Sequence, residues 1–189
     1  DALSLLRQPI SDKNDSVNNS KKQLGFSKLI SFEKVNFNYD EKSATLKDIS
    51  FSVKKGEIVG IIGETGSGKS TCVDLLMGLL SPSSGTILID GVVLNASSEV
   101  EWQNSLSHVP QQIFLSDSTV LENIAFGVNL KNIDINRAAT AARKAQINQF
   151  IETLSEGYNT ILGENGIRLS GGQRQRIGIA RALYRDADV

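Results

Sequence analysis

The sequence predicts an α/β domain with an antiparallel, β-rich beginning, a core entered through a strand, a loop and a helix, and a helical insert. Three observations predict this class. Apolar and polar residues alternate over 30–53, an almost continuous apolar run at 57–63 ends in glycine, and the segment 119–156 has the spacing of successive helices. A period of two is typical of half-buried strands, whereas a period near 3.6 is typical of helices.

Length and composition are those of an ordinary globular protein. The chain has 189 residues, of which 40% are hydrophobic and 22% charged, so it fits one domain or one domain and a tail. A net charge of −1 gives no overall attraction to nucleic acid or anionic lipid. The single cysteine, Cys72, excludes an internal disulfide. No apolar run is long enough to span a bilayer, and the first residues do not form a signal peptide.

Residues 1–28 are predicted to precede the compact domain. Leucines at positions 3, 5 and 6 are compatible with the end of a helix that Pro9 would stop, and residues 11–23 form a polar linker. Because the chain begins with Asp and ends on RDADV, we expect it to be a piece of a longer protein. The domain itself is expected to occupy residues 29–189, with a helical subdomain at about 112–168.

Each element of the domain has its own pattern. Alternation or apolar runs predict strands at 30–39, 46–53, 57–63 and 86–91. The run 57–63 is expected to be a central parallel strand, because only such strands are apolar on both faces. Helical spacing predicts helices at 69–80, within 119–156 and at 173–187. In the last of these, Ile177, Ala180 and Tyr184 share one face, and three arginines share another.

The segment GETGSGKS at 63–70 lies between the run 57–63 and a helix, which is the context of a phosphate-binding G-x-x-x-x-G-K-[ST] loop. Glycines let a backbone wrap around phosphates, and the amides that open a helix attract an anion. Lys69 supplies a cation, and the Ser70 hydroxyl can ligate Mg²⁺. The motif predicts a P-loop NTPase fold with a RecA-like core; the alternative is a glycine-rich surface turn. The residues expected to bind the nucleotide here are Gly63, Glu64, Thr65, Gly66, Ser67, Gly68, Lys69, Ser70 and Thr71.

LSGGQ at 169–173, followed by RQR, is a second motif. An N-cap at Ser170 before a tight glycine turn would explain the cap, but not Gln173 together with RQR. Together with the phosphate loop, this motif makes residues from about 30 to the end resemble the nucleotide-binding domain of ATP-binding-cassette (ABC) transporters of the exporter type. The resemblance implies a head-to-tail dimer that sandwiches two ATP molecules. In that dimer the residues that cap the γ-phosphate from the opposite subunit would be Ser170, Gly171, Gly172 and Gln173.

The resemblance implies further roles. Tyr39 would stack on adenine, and Gln111 would touch Mg²⁺ and the attacking water, with Gln112 as a competing assignment. Glu164 resembles an acid that exporters place near the coupling helices of the membrane domain. The catalytic residues are then Lys69 and Gln111, the Mg²⁺ ligands are Ser70 and Gln111, and the cofactors are ATP and Mg²⁺.

Asp90 ends the apolar segment ILID, as a magnesium-binding acid would. In the resembling family, however, the acid-tipped strand follows the signature motif, so we expect Asp90 to enter a turn instead. The acidic strand would begin at about Val189. The chain is therefore expected to stop before the catalytic carboxylates and, by itself, to bind ATP weakly without turning it over.

Four other features are predicted to be structural. His108, the only histidine, Cys72 and Trp102 are expected to pack rather than to catalyse or bind a ligand. The arginine face of the last helix, formed by Arg174, Arg181 and Arg185, is interpreted as solvated charge, with contact to nucleotide or a neighbouring subunit as the alternative.

The sequence therefore predicts the motor domain of an ABC exporter at the cytoplasmic face of the inner membrane, coupling ATP binding and hydrolysis to export. Its partners would be a second nucleotide-binding domain and a transmembrane domain on the same polypeptide, without nucleic acid. The segment GIIGETGSGKST and the polar linker suggest a lipid-linked oligosaccharide or polysaccharide as cargo. The alternatives are a soluble ABC-type ATPase of translation or DNA maintenance, and an unrelated P-loop kinase or switch.

Overall fold

A computed structural model describes residues 25–40 and 43–189 of the chain. The predicted helix end and the polar linker predicted for 11–23 lie outside the described residues. The strands are β1 (Leu29–Asp40), β2 (Ser43–Lys54), β3 (Ser84–Ile89) and β4 (Val92–Val93). The α-helices are α1 (Lys69–Leu76), α2 (Glu99–Asn104), α3 (Val120–Ile124), α4 (Ile135–Lys144), α5 (Asn148–Glu152) and α6 (Gly171–Arg185). Three 3₁₀ turns lie at Leu130–Asn132, Gly157–Asn159 and Glu164–Gly166.

The four strands form one antiparallel sheet in the order β2-β1-β3-β4. Phe32 on the central strand β1 lies opposite Phe51 on β2 and Ile87 on β3, and the two phenylalanine rings stack at 4.5 Å. Leu75 of α1 and Trp102 of α2 are fully buried in the same cluster. The predicted strands at 30–39, 46–53 and 86–91 are therefore confirmed, and the sheet forms the first of two hydrophobic cores.

A β-bulge explains why the apolar positions of β1 change from even to odd numbers. The pairing with β2 shifts between Phe32 and Val35, and Lys34 has a φ of 49°. Since successive strand residues point to opposite faces, an extra residue returns Val35 to the buried side. The amide of Lys34 donates to the Ser50 hydroxyl at 2.9 Å, so the backbone donor at the bulge is satisfied.

The second core is helical and is built from α3, α4, α5 and α6. Three buried alanines of α4, at 138, 141 and 142, allow close packing against α6, with which α4 makes extensive contact. From α6, Ile177, Ala180 and Tyr184 are buried, as the spacing predicts. The helices begin at capping side chains: Thr119 and Glu122 form a capping box on α3, and Asp134 caps α4.

The segment 57–63 differs from its prediction as a central strand covered on both faces. It belongs to no strand of the described sheet, and Ile58 and Ile62 are almost fully exposed. A parallel strand acquires its hydrogen bonds and burial from neighbours on both sides, and no described segment flanks this one. The prediction also missed α2, and it placed the end of α1 four residues too late. No helix of the described ranges is long and apolar enough to cross a membrane.

Gly85 and Gly91 form a matched pair for testing the β1–β3 junction. Both have a φ near +82° (81° and 82°), but a Cβ on Gly85 would collide with the carbonyls of Glu33 and Lys34, whereas nothing lies within 4 Å of one on Gly91. We expect Gly91→Ala to lower the free energy of unfolding by about 1 kcal/mol and Gly85→Ala by at least about 2 kcal/mol more. Urea denaturation measures both values. Equal losses would contradict the close approach at the bulge.

Candidate nucleotide-binding site

The phosphate loop closes around the ammonium group of Lys69. Its Nζ donates hydrogen bonds to the carbonyl oxygens of Gly63 at 2.9 Å and Glu64 at 2.7 Å. The amide of Ser67 bonds back to Glu64 O at 3.2 Å, which keeps the turn tight. Gly66 and Gly68 have φ values of 84° and 87°, a region that side chains disfavour. The glycine spacing of the motif is therefore required by the backbone itself.

Helix α1 begins immediately after this loop, with Gly68 as its N-cap. No side chain caps the first turn, and no acidic residue lies in it. The first amides of a helix carry no intrahelical partner, and the helix dipole is positive there. Lys69 and the exposed Ser70 lie in this turn, so a cation, a hydroxyl and free amides are presented together. This arrangement suits a phosphate group.

Gly68 also brings the sheet against the loop. A Cβ on Gly68 would lie 2.6 Å from Leu46 Cδ2 and 3.0 Å from the Thr45 carbonyl oxygen. Leu46 is buried in the sheet core. The position of the phosphate loop on the sheet thus depends on a residue without a side chain at position 68.

Tyr39 lies beside the start of α1, although 32 residues separate it from Thr71. The Tyr39 hydroxyl and Thr71 Oγ1 are 3.2 Å apart, and the ring meets Phe37 edge-on at 4.9 Å. Tyr39 is nevertheless 65% exposed, a large accessible fraction for an aromatic ring. The structure therefore places the aromatic residue of FNYD next to the phosphate loop.

The signature motif opens α6 with a capping box. Ser170 Oγ accepts a hydrogen bond from the Gln173 amide at 3.3 Å, and Gln173 Oε1 accepts one from the Ser170 amide at 2.8 Å. Gln173 is the reciprocal half of the cap, so the cap accounts for Gln173, although not for the RQR that follows it. Gly171 and Gly172 have no atom within 4 Å of an added Cβ, so nothing in the described chain requires glycine at either position.

Gln111 and Gln112 are both exposed on the segment that leads into the helical core. Gln112 lines a cleft of about 710 Å³ together with Ile113, Phe114, Glu164, Asn165, Ile167 and Arg174, whereas Gln111 does not line it. Ile113 packs so closely on Gly178 of α6 that a Cβ there would lie 2.5 Å from its Cδ1. The two candidate glutamines are thus tied to the signature helix through their neighbour Ile113.

Asp90 is held by the beginning of β1. Its carboxylate accepts hydrogen bonds from the amides of Ser27, Lys28 and Leu29 at 2.6 to 2.8 Å and from the Ser27 hydroxyl at 2.7 Å. Partial burial tends to raise the pKa of Asp90, but the bonds from Ser27, Leu29 and Lys28 outweigh it and lower the pKa to about 2. With a φ of 50°, Asp90 enters a turn, as expected, and its oxygens are engaged in structure.

The predictions made for the single residues Trp102, Cys72 and His108 have different outcomes. Trp102 is fully buried and donates from Nε1 to the Leu76 carbonyl oxygen at 2.6 Å, so its packing role is confirmed. Cys72 is buried too, and burial raises the pKa of its thiol. His108 is exposed beside a cleft that Arg181 and Arg185 also line, and its predicted structural role stays a prediction.

The interpretation of the α6 arginines as solvated charge was wrong for Arg174 and Arg181, which are partly buried, whereas Arg185 is exposed. Arg174 donates to the Leu169 carbonyl at 2.9 Å, Arg181 to the Asn123 carbonyl at 2.9 Å, and Arg185 to the Gln103 carbonyl at 3.2 Å. Arg181 also lies over the Phe126 ring at 4.5 Å, and burial lowers its pKa. A guanidinium has five donors, which lets it satisfy carbonyls of other segments while it remains charged.

Asn123 is a residue of this region that the sequence did not reveal. It is fully buried, and its amide contacts Ser116, Ser118 and Thr119 at 3.0 to 3.1 Å, while its backbone carbonyl accepts from Arg181. A buried Asn is stable only when its polar atoms are paired. The position of α3, which follows the candidate glutamines in the chain, is thereby linked to α6. An Asn inside a short apolar segment is a weak signal for such a role.

Fold and site together define a P-loop ATP-binding domain that consists of an antiparallel sheet and a helical part. The sequence model of the ABC transporter family matches residues 46–189, and the chain belongs to this family. The signature motif and the phosphate loop both lie within the matched range.

Several known ABC transporters are similar to the chain in sequence or in structure. ATP-dependent lipid A-core flippases of Coxiella burnetii and Alcanivorax borkumensis are 44% and 42% identical over 161 and 160 residues, and each match covers 85% of the chain. Among solved structures, a bacterial Atm1-family ABC exporter with ATP bound superposes with a TM-score of 0.79 at 37% identity over 86% of the chain. The chain spans only 27% of the flippases and 28% of that exporter chain.

Replacing Asp90 by Asn tests its structural role through pH. Because the folded pKa of about 2 lies below the ordinary 3.8, the carboxylate stabilises the fold above about pH 4, and this stabilisation is lost as the pH falls towards 2. We expect Asp90→Asn to lower the free energy of unfolding by about 1–2 kcal/mol at pH 7, and the difference from the parent chain to shrink between pH 4 and 2. Urea titrations at several pH values measure it.

The exposed Asp117 provides the control for this experiment. Asp117→Asn should leave the unfolding free energy within about 0.5 kcal/mol of the parent value at pH 7. A difference between Asp90→Asn and the parent chain that does not change with pH would contradict the assignment.

Proposed function

We propose that this chain is the ATP-binding motor domain of an ABC exporter, which couples ATP binding and hydrolysis to transport across a membrane. The observation that carries the proposal is the pair of helix starts, one in each core, that present glycines and free amides. At α1 the first turn is uncapped and carries Lys69 and Ser70. At α6, Gly171 and Gly172 are exposed and uncrowded.

Lys69 would exchange partners when the nucleotide binds. Its ammonium now bonds to the carbonyls of Gly63 and Glu64, and phosphate oxygens are stronger acceptors for a cation than neutral carbonyls. The amides from Gly66 to Ser70 would line the β- and γ-phosphates, and Tyr39 would stack on the base. Gln111, which is neutral, would orient the attacking water rather than remove its proton.

The exposed oxygen donors of the proposed site suit Mg²⁺. It prefers oxygen ligands and keeps several waters and phosphate oxygens when proteins bind it with nucleotides. The Ser70 hydroxyl and the Gln111 amide oxygen are such donors and are exposed. Across residues 25–40 and 43–189 there is no group of three His, Cys, Asp or Glu side chains that could hold a metal independently. When bound with ATP, Mg²⁺ neutralises charge on the β- and γ-phosphates.

A second copy of the domain would complete the site. Gly171 and Gly172 are poor helix formers, yet no contact within the described chain requires them. Close approach of a ligand would account for the absence of side chains there. We propose that Ser170, Gly171, Gly172 and Gln173 cap the γ-phosphate of ATP on the partner's phosphate loop, in a head-to-tail homodimer.

The proposed exporter role and the proposed cargo are supported by the similarity to the flippases. The similar flippases are named for lipid A-core, which agrees with a lipid-linked saccharide as the transported compound. We propose that the chain works at the cytoplasmic face of the inner membrane with a transmembrane domain on the same polypeptide. The cleft between Gln112 and Glu164 is the proposed docking place for that domain.

A soluble ABC-type ATPase of translation or DNA maintenance is the remaining alternative. Its partners are polyanions, and a net charge of −1 does not favour them. The coding sequence upstream discriminates between the two functions. Several spans of about 20 apolar residues would support the exporter, whereas a second cassette in their place would support the alternative.

Lys69→Ala tests the phosphate site directly. We expect it to weaken the binding of ATP to this chain at least tenfold, because a charge-assisted contact to the phosphates is lost. Displacement of a fluorescent ATP analogue measures the affinity. Lys131→Ala, on an exposed turn of the helical part, is the matched control and should bind like the parent chain. Equal affinity of the parent and Lys69→Ala chains would rule out this phosphate loop as the nucleotide site.

The isolated chain is expected to bind ATP without hydrolysing it. Gln111, the residue proposed to contact the attacking water, cannot take a proton from it. Phosphate release should therefore stay at the level of a blank without protein, measured with excess ATP and Mg²⁺. Release above that level that disappears in Lys69→Ala would refute this expectation.

A further inference from the structure

The hydrogen bond between Tyr39 and Thr71 joins the two parts of the proposed ATP site. Tyr39 is near the end of β1 and is 65% exposed, whereas Thr71 is in the first turns of α1 and is 5% exposed. Their hydroxyl oxygens are 3.2 Å apart. A buried threonine hydroxyl requires a polar partner, and the exposed tyrosine supplies it.

Two contacts restrain the Tyr39 ring while leaving most of it accessible. At one end the ring meets Phe37 edge-on at 4.9 Å, and Phe37 is itself 7% exposed. At the other end the hydroxyl is bonded to Thr71. An exposed aromatic side chain without such contacts exchanges among rotamers, and binding to it must then compensate for the lost entropy. With both ends held, the ring is oriented before a ligand arrives.

Thr71 is attached to the phosphate loop by rigid backbone. It follows Lys69 and Ser70 within α1, and the amide of its neighbour Cys72 bonds to Gly68 at 2.9 Å. A contact from the Thr71 side chain to Tyr39 therefore sets the distance between the aromatic ring and the phosphate-binding groups. That distance must match the separation of base and triphosphate in a nucleotide.

We propose that Thr71 is a positioning residue for the base: its hydroxyl holds Tyr39 so that the ring stacks on the adenine of an ATP whose phosphates lie in the loop. This inference rests on the proposed function and deepens it. Thr71 was predicted to bind the nucleotide, and the structure gives its hydroxyl a different partner. We call this hydrogen bond between Tyr39 and Thr71 the tether. Its loss should weaken binding of the base, because a triphosphate without a base has nothing to stack on the ring.

Three variants isolate the tether in the full 189-residue chain. Tyr39→Phe keeps the ring and removes the hydroxyl, Thr71→Val removes the other hydroxyl at similar volume, and Thr71→Ser retains it. We expect Tyr39→Phe and Thr71→Val each to weaken ATP binding roughly two- to tenfold, the double variant to be no weaker than the weaker single variant, and Thr71→Ser to recover most of the loss. Competition against a fluorescent ATP analogue gives the affinities.

Inorganic tripolyphosphate is the second probe. Its affinity should fall less than that of ATP in Tyr39→Phe and Thr71→Val, so the ratio of the two affinities is a readout that general loss of structure does not produce. Tyr158→Phe and Thr140→Val make the same chemical changes in the helical part and should leave that ratio at the parent value. Thermal melts followed by circular dichroism show whether each variant is folded.

The outcomes separate the inference from the function on which it rests. If Tyr39→Ala weakens ATP binding but Tyr39→Phe and Thr71→Val bind like the parent chain, the tether is refuted and the stacking role of Tyr39 survives. If Tyr39→Ala also binds like the parent chain, the role of Tyr39 in the proposed function fails, and the inference fails with it. Equal losses of ATP and tripolyphosphate in Thr71→Val would assign the residue to the phosphates and overturn the proposal.

Discussion

The close approach of the sheet to the phosphate loop at Gly68 is the contact on which the proposed site depends. Leu46 and the Thr45 carbonyl occupy the space where a side chain at position 68 would lie. This contact seats the first turn of α1 against β2, and β2 pairs with β1, which carries Tyr39. The accessible aromatic ring and the phosphate-binding amides are therefore related through one backbone contact that only glycine permits.

The helical core also depends on a close contact at a glycine, in this case on helix α6. Ile113 lies against Gly178, and Arg181 bonds to Asn123, so the segment after the candidate glutamines and the signature helix α6 are packed as one unit. A displacement of one would be transmitted to the other, because packed contacts of this kind are not continuously deformable. In the proposed motor, such packing would couple the signature helix to the cleft that is the proposed docking place for the transmembrane domain.

Local signals explain which parts of the fold were predictable. Alternation located β1, β2 and β3, and helical spacing located α1 and α6. These patterns involve only residues close together in the sequence, so they can be recognised without knowledge of the tertiary structure. The run 57–63 was misread because burial on both faces comes from neighbouring segments and not from the run itself. Arg181 was misread for a similar reason, since its carbonyl partner on Asn123 lies 58 residues away.

The sequence by itself determined the family and the chemical identity of the site. The motifs at 63–70 and 169–173 specify glycines, a lysine and hydroxyls at spacings that backbone geometry and helix polarity make interpretable without coordinates. Only the tertiary structure decided how two other groups are used: that Asp90 binds the amides of Ser27 to Leu29, and that Thr71 holds Tyr39. Each of these depends on a partner brought close by folding, and periodicity along a chain carries no information about such distances.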